Sequence, residues 1–183
     1  MNSPSIALFA LNGIGSVTLK VLADLGCNIV GLWTRHEPNK HPYFETQDIN
    51  VLARCKSIRI FYDHEPFHPE QKVDLLLSCT YHRKILAAHR DKARLAINIH
   101  QSLLPAHAGR DPFKSQIAEQ EVLGGVTAHH INDEWDDGEI ISQYECNIAG
   151  LNENKLRERL GVLSAAMAVH VVSLATQLTN NDA

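Results

Sequence analysis

The first thirty-four residues constrain the fold more than any other segment. Ile6 to Ala10 is a short apolar run leading into Leu11-Asn12-Gly13-Ile14-Gly15-Ser16, after which Val17, Leu19, Val21, Leu22 and Leu25 recur at roughly helical spacing up to Gly26. Asn28 to Trp33 follows as a second apolar run. Strand, glycine turn, helix and strand make the opening of a βαβ unit, and such a unit implies a parallel sheet. Parallel sheets of this kind bind ligands at the carboxyl ends of their strands.

The rest of the chain extends the pattern. Thr34 to Phe44 is polar and carries Pro38 and Pro42, which predicts a loop, and Gln47 to Lys56 predicts a helix. Ile58 to Tyr62 reads as a short strand, His64 to Pro69 as a surface turn with two prolines, and Val73 to Ser78 as a central strand. Helical propensity returns over Lys84 to Arg90, and Leu95 to Ile99 is the next strand, delivering Asn98 and His100 to its carboxyl end. Asp111 before Pro112 predicts a capped helix running to about Gln120. Gly124-Gly125 interrupts the pattern ahead of a strand over Val126 to Ile131, and Glu139 to Ile148 reads as an antiparallel strand after the turn Asp136-Asp137-Gly138. Asn152 to Leu178 is a long helix with Leu156, Leu160, Leu163, Met167, Val171, Leu174 and Leu178 near one face, suited to a core or to the surface of a homodimer. The expected class is α/β, with a Rossmann-like, mostly parallel sheet and helices on both faces.

With 183 residues, 44% apolar, the chain suits a single domain over residues 1–183. Its 17 basic residues against 21 acidic ones give a charge of −4, the wrong balance for a nucleic-acid grip. Four scattered cysteines, Cys27, Cys55, Cys79 and Cys146, have no spacing that suggests zinc, a redox dithiol or a disulfide scaffold. No basic segment leading into a long apolar run follows Met1, and no stretch reads as long enough to cross a bilayer, so the expectation is a cytoplasmic chain without a membrane partner.

The chemistry gathers in the second half. Asn98-Ile99-His100-Gln101-Ser102-Leu103-Leu104-Pro105, then Gly125-Val126-Thr127-Ala128-His129, then Asp136-Asp137-Gly138-Glu139-Ile140-Ile141, resembles the formyltransferase family in order and spacing from about Ser78 to Gln143. That family includes glycinamide ribonucleotide, methionyl-tRNA and amino-sugar formyltransferases. The resemblance implies the formyltransferase fold, 10-formyltetrahydrofolate as formyl donor, a small-molecule amine as acceptor, and Asn98, His100 and Asp136 as the catalytic residues. It also implies a pterin pocket around Tyr81, Arg83, Lys84, Ile85 and Leu86 and around His129, Asn132, Asp133, Glu134, Trp135 and Gly138. Ser102, Leu103, Leu104 and Pro105 would form a wall on the substrate side.

The residues themselves agree with that chemistry. An amine attacking a formyl carbon creates an oxyanion, which needs donors fixed where the charge appears. Residues two apart on a strand point to the same side, so the Asn98 amide and a protonated His100 can approach one atom from a rigid support. A carboxylate beside the imidazole favours its charged form and can accept the proton the amine loses, a role suited to Asp136 with Asp137 as the alternative. Gln101 stands where many family members carry a small residue or proline.

Other features have two readings each. Gly13, Ile14, Gly15 and Ser16 either cradle an acceptor phosphate at a helix start or make a structural turn, and Val17 replaces the asparagine usual in the glycinamide ribonucleotide enzymes. Among eleven histidines, the pairs His129-His130 and His100 with His107 invite a metal reading, but neighbours on a strand face opposite ways and no metal is expected. Trp33 reads as packing, whereas Trp135, which adjoins Asp136, reads as a candidate ligand contact. Arg35 and Lys40 could meet an anion or be solvated. Gly109-Arg110-Asp111-Pro112 looks like the amino-sugar enzymes, and the short length like the glycinamide ribonucleotide enzymes. A formyltetrahydrofolate hydrolase and a non-catalytic folate- or nucleotide-binding protein are the alternatives. A dinucleotide oxidoreductase lacks its acidic residue, because Trp33-Thr34-Arg35 ends the second strand.

Overall fold

The structure is a computed structural model describing residues 3–36, 45–63, 65, 67 and 72–181. Its strands are β1 (Ile6–Ala10), β2 (Ile29–Thr34), β3 (Ile60–Tyr62), β4 (Val73–Cys79), β5 (Ala93–His100), β6 (Leu123–His130) and β7 (Ile140–Asn147). The helices are α1 (Ile14–Asp24), α2 (Ile49–Cys55), α3 (Ala87–Arg90), α4 (Pro112–Ala118) and α5 (Glu153–Asn181). One sheet runs in the order β3-β2-β1-β4-β5-β6-β7. Its first five strands are parallel, and β6 and β7 are antiparallel additions. β1 and β4 are apolar on both faces because both faces are covered, as central parallel strands must be.

The expected helices do cover both faces, but unequally. One face carries α1, α2, α4 and α5 over a continuous apolar core that includes Leu8, Leu19, Leu52, Leu75, Phe113, Leu160 and Met167. The other is covered by the one-turn α3 region and an aromatic cluster in which Trp33 stacks on Phe9 and Phe61 and meets Phe67 edge-on. Trp33 is thus packing. Phe67, expected in a surface turn, is buried in this cluster; most of that turn, like Lys40 and the rest of 37–44, lies outside the described residues.

Four expectations are corrected. The helix over Lys84 to Arg90 shrinks to Ala87–Arg90 because the His89 ring accepts the Leu86 N–H and stops the helix there. Asp111 makes no side-chain cap on α4; its carboxylate faces Lys114 and Arg157 instead. Gly124 and Gly125 do not interrupt the strand but lie within β6, where a Cβ would come within 2.6 Å of Gln116 Oε1 and 2.1 Å of the Tyr144 carbonyl oxygen respectively. Close approach, rather than turning, is what these glycines provide. Finally, Glu153–Asn180 is long and apolar enough by composition to cross a bilayer, with half of its most apolar window buried in the fold. Leu156, Leu160, Met167 and Val171 are fully buried in that helix and pack on the sheet.

Candidate active site

Strand alternation puts Asn98 and His100 on one side of β5, and the antiparallel register sets His129 of β6 directly opposite Asn98. The loop after β6 brings Asp136 back to them. Asp136 holds φ 53°, and two residues on a Cβ at Gly138 would lie 1.6 Å from the His130 carbonyl oxygen. Only glycine lets the turn fold this tightly against β6.

The Asp136 carboxylate is the hub. Its Oδ1 accepts from Asn98 Nδ2 at 3.2 Å and lies 3.6 Å from His129 Nε2. Its Oδ2 accepts from the Gly109 backbone N–H at 2.9 Å and lies 3.4 Å from His100 Nδ1. The His129 ring donates from Nδ1 to the His130 carbonyl at 2.9 Å, and its Nε2 lies 3.1 Å from Asn98 Nδ2. His100 donates from Nε2 to the His107 carbonyl at 3.0 Å.

Burial by itself would raise the Asp136 pKa, but the His129 ring, the His100 ring and the Gly109 N–H outweigh it and hold the carboxyl below its usual range. Burial pushes the His100 imidazole below its usual range, against the pull of Asp136 and of the His107 carbonyl. Negative charge developing beside it would favour the imidazolium, whose two N–H groups already face two acceptors.

Asn98, His100 and Asp136 line one cavity of about 580 Å³. Tyr81, Arg83, Lys84 and Ile85 form one wall, and His129, Asn132, Glu134 and Trp135 another; Ile14 is the one glycine-turn residue of Gly13 to Ser16 that lines it. Trp135 is half exposed at the edge. The remaining expected residues lie off the lining. Leu86 points to solvent, Asp133 pairs with Arg90, and Gly138 serves the turn. Ser102 donates to the Ala106 carbonyl, the Leu104 N–H is held by Thr127 Oγ1, and Leu103 to Pro105 stay off the lining. Gln101 does line it, but its amide is turned inward to the Ile99 carbonyl.

The glycine turn is closed on itself. Ser16 Oγ accepts from the Gly13 N–H and donates to Asn12 Oδ1, which also accepts the Ile49 N–H. Asn12 Nδ2 donates to Asp48 at 3.1 Å, and Asp48 caps α2 through the Asn50 and Val51 N–H groups. A Cβ at Gly15 would lie 2.8 Å from Ala10 Cβ, so this glycine serves helix–strand packing.

Several contributors escape sequence reasoning. Asp63 collects Tyr81, His82 and Arg83 and so shapes the first wall. Burial and the Asp63 carboxylate push the Tyr81 phenol well above its ordinary range, keeping its proton on that bond. Arg90 bonds the carbonyls of Ile85 and Asn132 and the Asp133 carboxylate, tying the two walls together. Arg110 and Arg157 line the cavity beyond Gly109. Most of these links join residues 18 to 43 positions apart, and no periodicity or spacing announces them. The His100–His107 pair imagined as metal ligands is joined through a carbonyl instead; among the described residues His107, Glu119 and Glu121 place three ligand-type atoms within 4.8 Å of one another.

The formyl transferase family model matches residues 67–172, more than half of the chain. The chain belongs to the formyl transferase family. It is a formyl-transfer enzyme by that membership, and its sheet matches solved relatives. The phosphoribosylglycinamide formyltransferase from Streptococcus pneumoniae TIGR4 is similar over 93% of this chain and 98% of its own, with 17% identity and a TM-score of 0.73. WlaRD, a sugar 3N-formyl transferase solved with dTdp and 5-N-Formyl-THF, is similar over 96% of this chain at 19% identity and TM-score 0.78. A formyltetrahydrofolate deformylase from Pseudomonas putida KT2440 is similar over 93% of this chain at 22% identity and TM-score 0.68. The chain spans 64% of the length of each of the latter two.

Proposed function

We propose that this formyl transferase, as a single catalytic domain, moves the formyl group of 10-formyltetrahydrofolate to the amine of a nucleotide-linked amino sugar. One observation carries the reading: a carboxylate held in its charged form gathers Asn98, His100 and His129 at the wall of a cavity of about 580 Å³. Tyr81 to Ile85 and Asn132 to Trp135 supply the donor side. As the acceptor amine bonds to the formyl carbon, one Asn98 N–H turns from the Asp136 cluster to the oxygen that gains charge. The proton lost by the amine passes to the Asp136–His100 pair. Breaking the bond from the formyl carbon to the folate nitrogen then returns a proton to that nitrogen.

The choice of acceptor rests on the closed glycine turn. Ser16 and Gly13 are committed to each other, and the Asp48 carboxylate adds negative charge where a phosphate would need donors. That disfavours glycinamide ribonucleotide and leaves the amino sugar, the acceptor class named for the sugar 3N-formyl transferase of similar fold. Neither nucleic acid nor a membrane enters this reading.

The test follows tetrahydrofolate release from 10-formyltetrahydrofolate with a dTDP-linked amino sugar, with glycinamide ribonucleotide and with no acceptor, products being weighed by mass spectrometry. Release coupled to a formylated sugar is expected. Release of formate without any formylated amine would identify a hydrolase and overturn the proposal.

A further inference from the structure

The loop from Gln101 to Asp111 touches the reacting pair twice. The His107 carbonyl accepts from His100 Nε2 at 3.0 Å, and two residues later the Gly109 N–H donates to Asp136 Oδ2 at 2.9 Å. One short segment therefore holds both partners of the His100–Asp136 contact from behind. Its backbone is strained where it does so, since His107 has φ 54°, a conformation that a residue with a side chain keeps only when its surroundings impose it.

The His107 ring is what the surroundings grip. It is 7% exposed, and its Nδ1 lies 3.1 Å from Ser115 Oγ of α4 while its Nε2 lies 3.1 Å from Glu121 Oε1 just beyond that helix. Glu119 Oε1 is 3.7 Å from Nδ1. Whichever group carries the proton shared with Ser115, the ring bridges the middle of α4 and the segment just beyond its C-terminal end, and turns its own carbonyl towards His100. We infer that His107 is a positioning residue: its ring is the peg that fixes the loop whose carbonyl and N–H align His100 with Asp136. This rests on the reading of His100 and Asp136 as reacting groups, so the primary readout is independent of turnover.

That readout is the nitrogen-resolved NMR titration of the His100 ring in wild-type protein and in the His107→Ala, Ser115→Ala and Glu121→Gln variants, each confirmed folded by its thermal melt. Wild-type His100 should carry its neutral-state proton on Nε2. In His107→Ala the tautomer should mix and His100 should titrate at lower pH, because the carbonyl that favoured the charged ring is no longer aimed at it. Asp136, His129 and His107 are the titratable groups that face His100, so the same titration is followed with Asp136→Asn to separate their contributions. Turnover of His107→Ala should fall by about 10- to 100-fold with donor KM unchanged. His107→Asn, which keeps an Nδ1-like atom near Ser115 and tolerates positive φ, should recover part of it. Ser115→Ala and Glu121→Gln should shift the same signals less. A folded His107→Ala, or either milder variant should that one not fold, with a wild-type His100 tautomer and titration overturns the positioning role. Wild-type protein that transfers no formyl group while the NMR shift appears would instead overturn the function and leave the positioning role standing.

Discussion

Two turns of this molecule use the same vocabulary of asparagine, aspartate, glycine and buried neighbours to opposite ends. At the glycine turn after β1, Asn12, Ser16 and Asp48 hydrogen-bond to one another and to the start of α2. At the turn after β6, Asp136 gathers Asn98, His100 and His129 on the lining of a cavity. Residue type alone does not separate a structural latch from a cavity wall. The difference is where the last polar contact ends: on the fold itself, or on a space that a substrate can enter.

The largest effect that would break this contrast lies at the second turn. Asp136→Asn or Asn98→Ala should lower turnover by about 10²–10³-fold with the melting temperature little changed, as measured by steady-state kinetics and calorimetry. Gly138→Ala should follow, because its Cβ would fall on the His130 carbonyl oxygen, whose backbone cannot move aside as a side chain could. Overpacking of this kind costs about 1–3 kcal/mol or more, and turnover should drop with stability as Asp136 is displaced. At the first turn Asp48→Ala should cost about 1 kcal/mol through loss of the α2 cap and leave kcat unchanged in chemical denaturation and kinetic assays. A large loss of kcat in Asp48→Ala would erase the distinction between the two turns.

The smallest effect is a slope. Burial lowers the pKa of His82, His89 and His100 in the folded chain. Between those lowered values and the ordinary value of about 6.5 the unfolded chain binds more protons, so stability is highest above that value and declines as pH falls below it. Melts at pH 7.5 and 5.5 should show the decline, and His89→Gln, away from the cavity, should flatten it. A slope of opposite sign would mean that these rings gain rather than lose protons on folding.

The sheet could be read from the chain because β1 is an uninterrupted apolar run and the later strands keep apolar stretches: Ile6–Ala10 agrees at both ends, and Asn98 and His100 stand where the β5 run predicts. Glycine misled where it served approach rather than turning, as at Gly124 and Gly125 within β6. At the site, the Asn-x-His spacing and the later Asp-x-Gly point to residues that do meet at one cavity wall, because each rests on local geometry. Arg90, Asp63 and His107 do not announce themselves. Each acts through a single long side chain or carbonyl crossing to a distant element, and that leaves no repeat in the sequence.

On the proposed function, Asp136 and His100 work as one unit. A double-mutant cycle of Asp136→Asn and His100→Ala, read as kcat for formyl transfer, tests this directly. The double variant should be about as slow as the slower single one, because either change already dismantles the pair. Losses that multiply across the two sites would show two independent groups and contradict it.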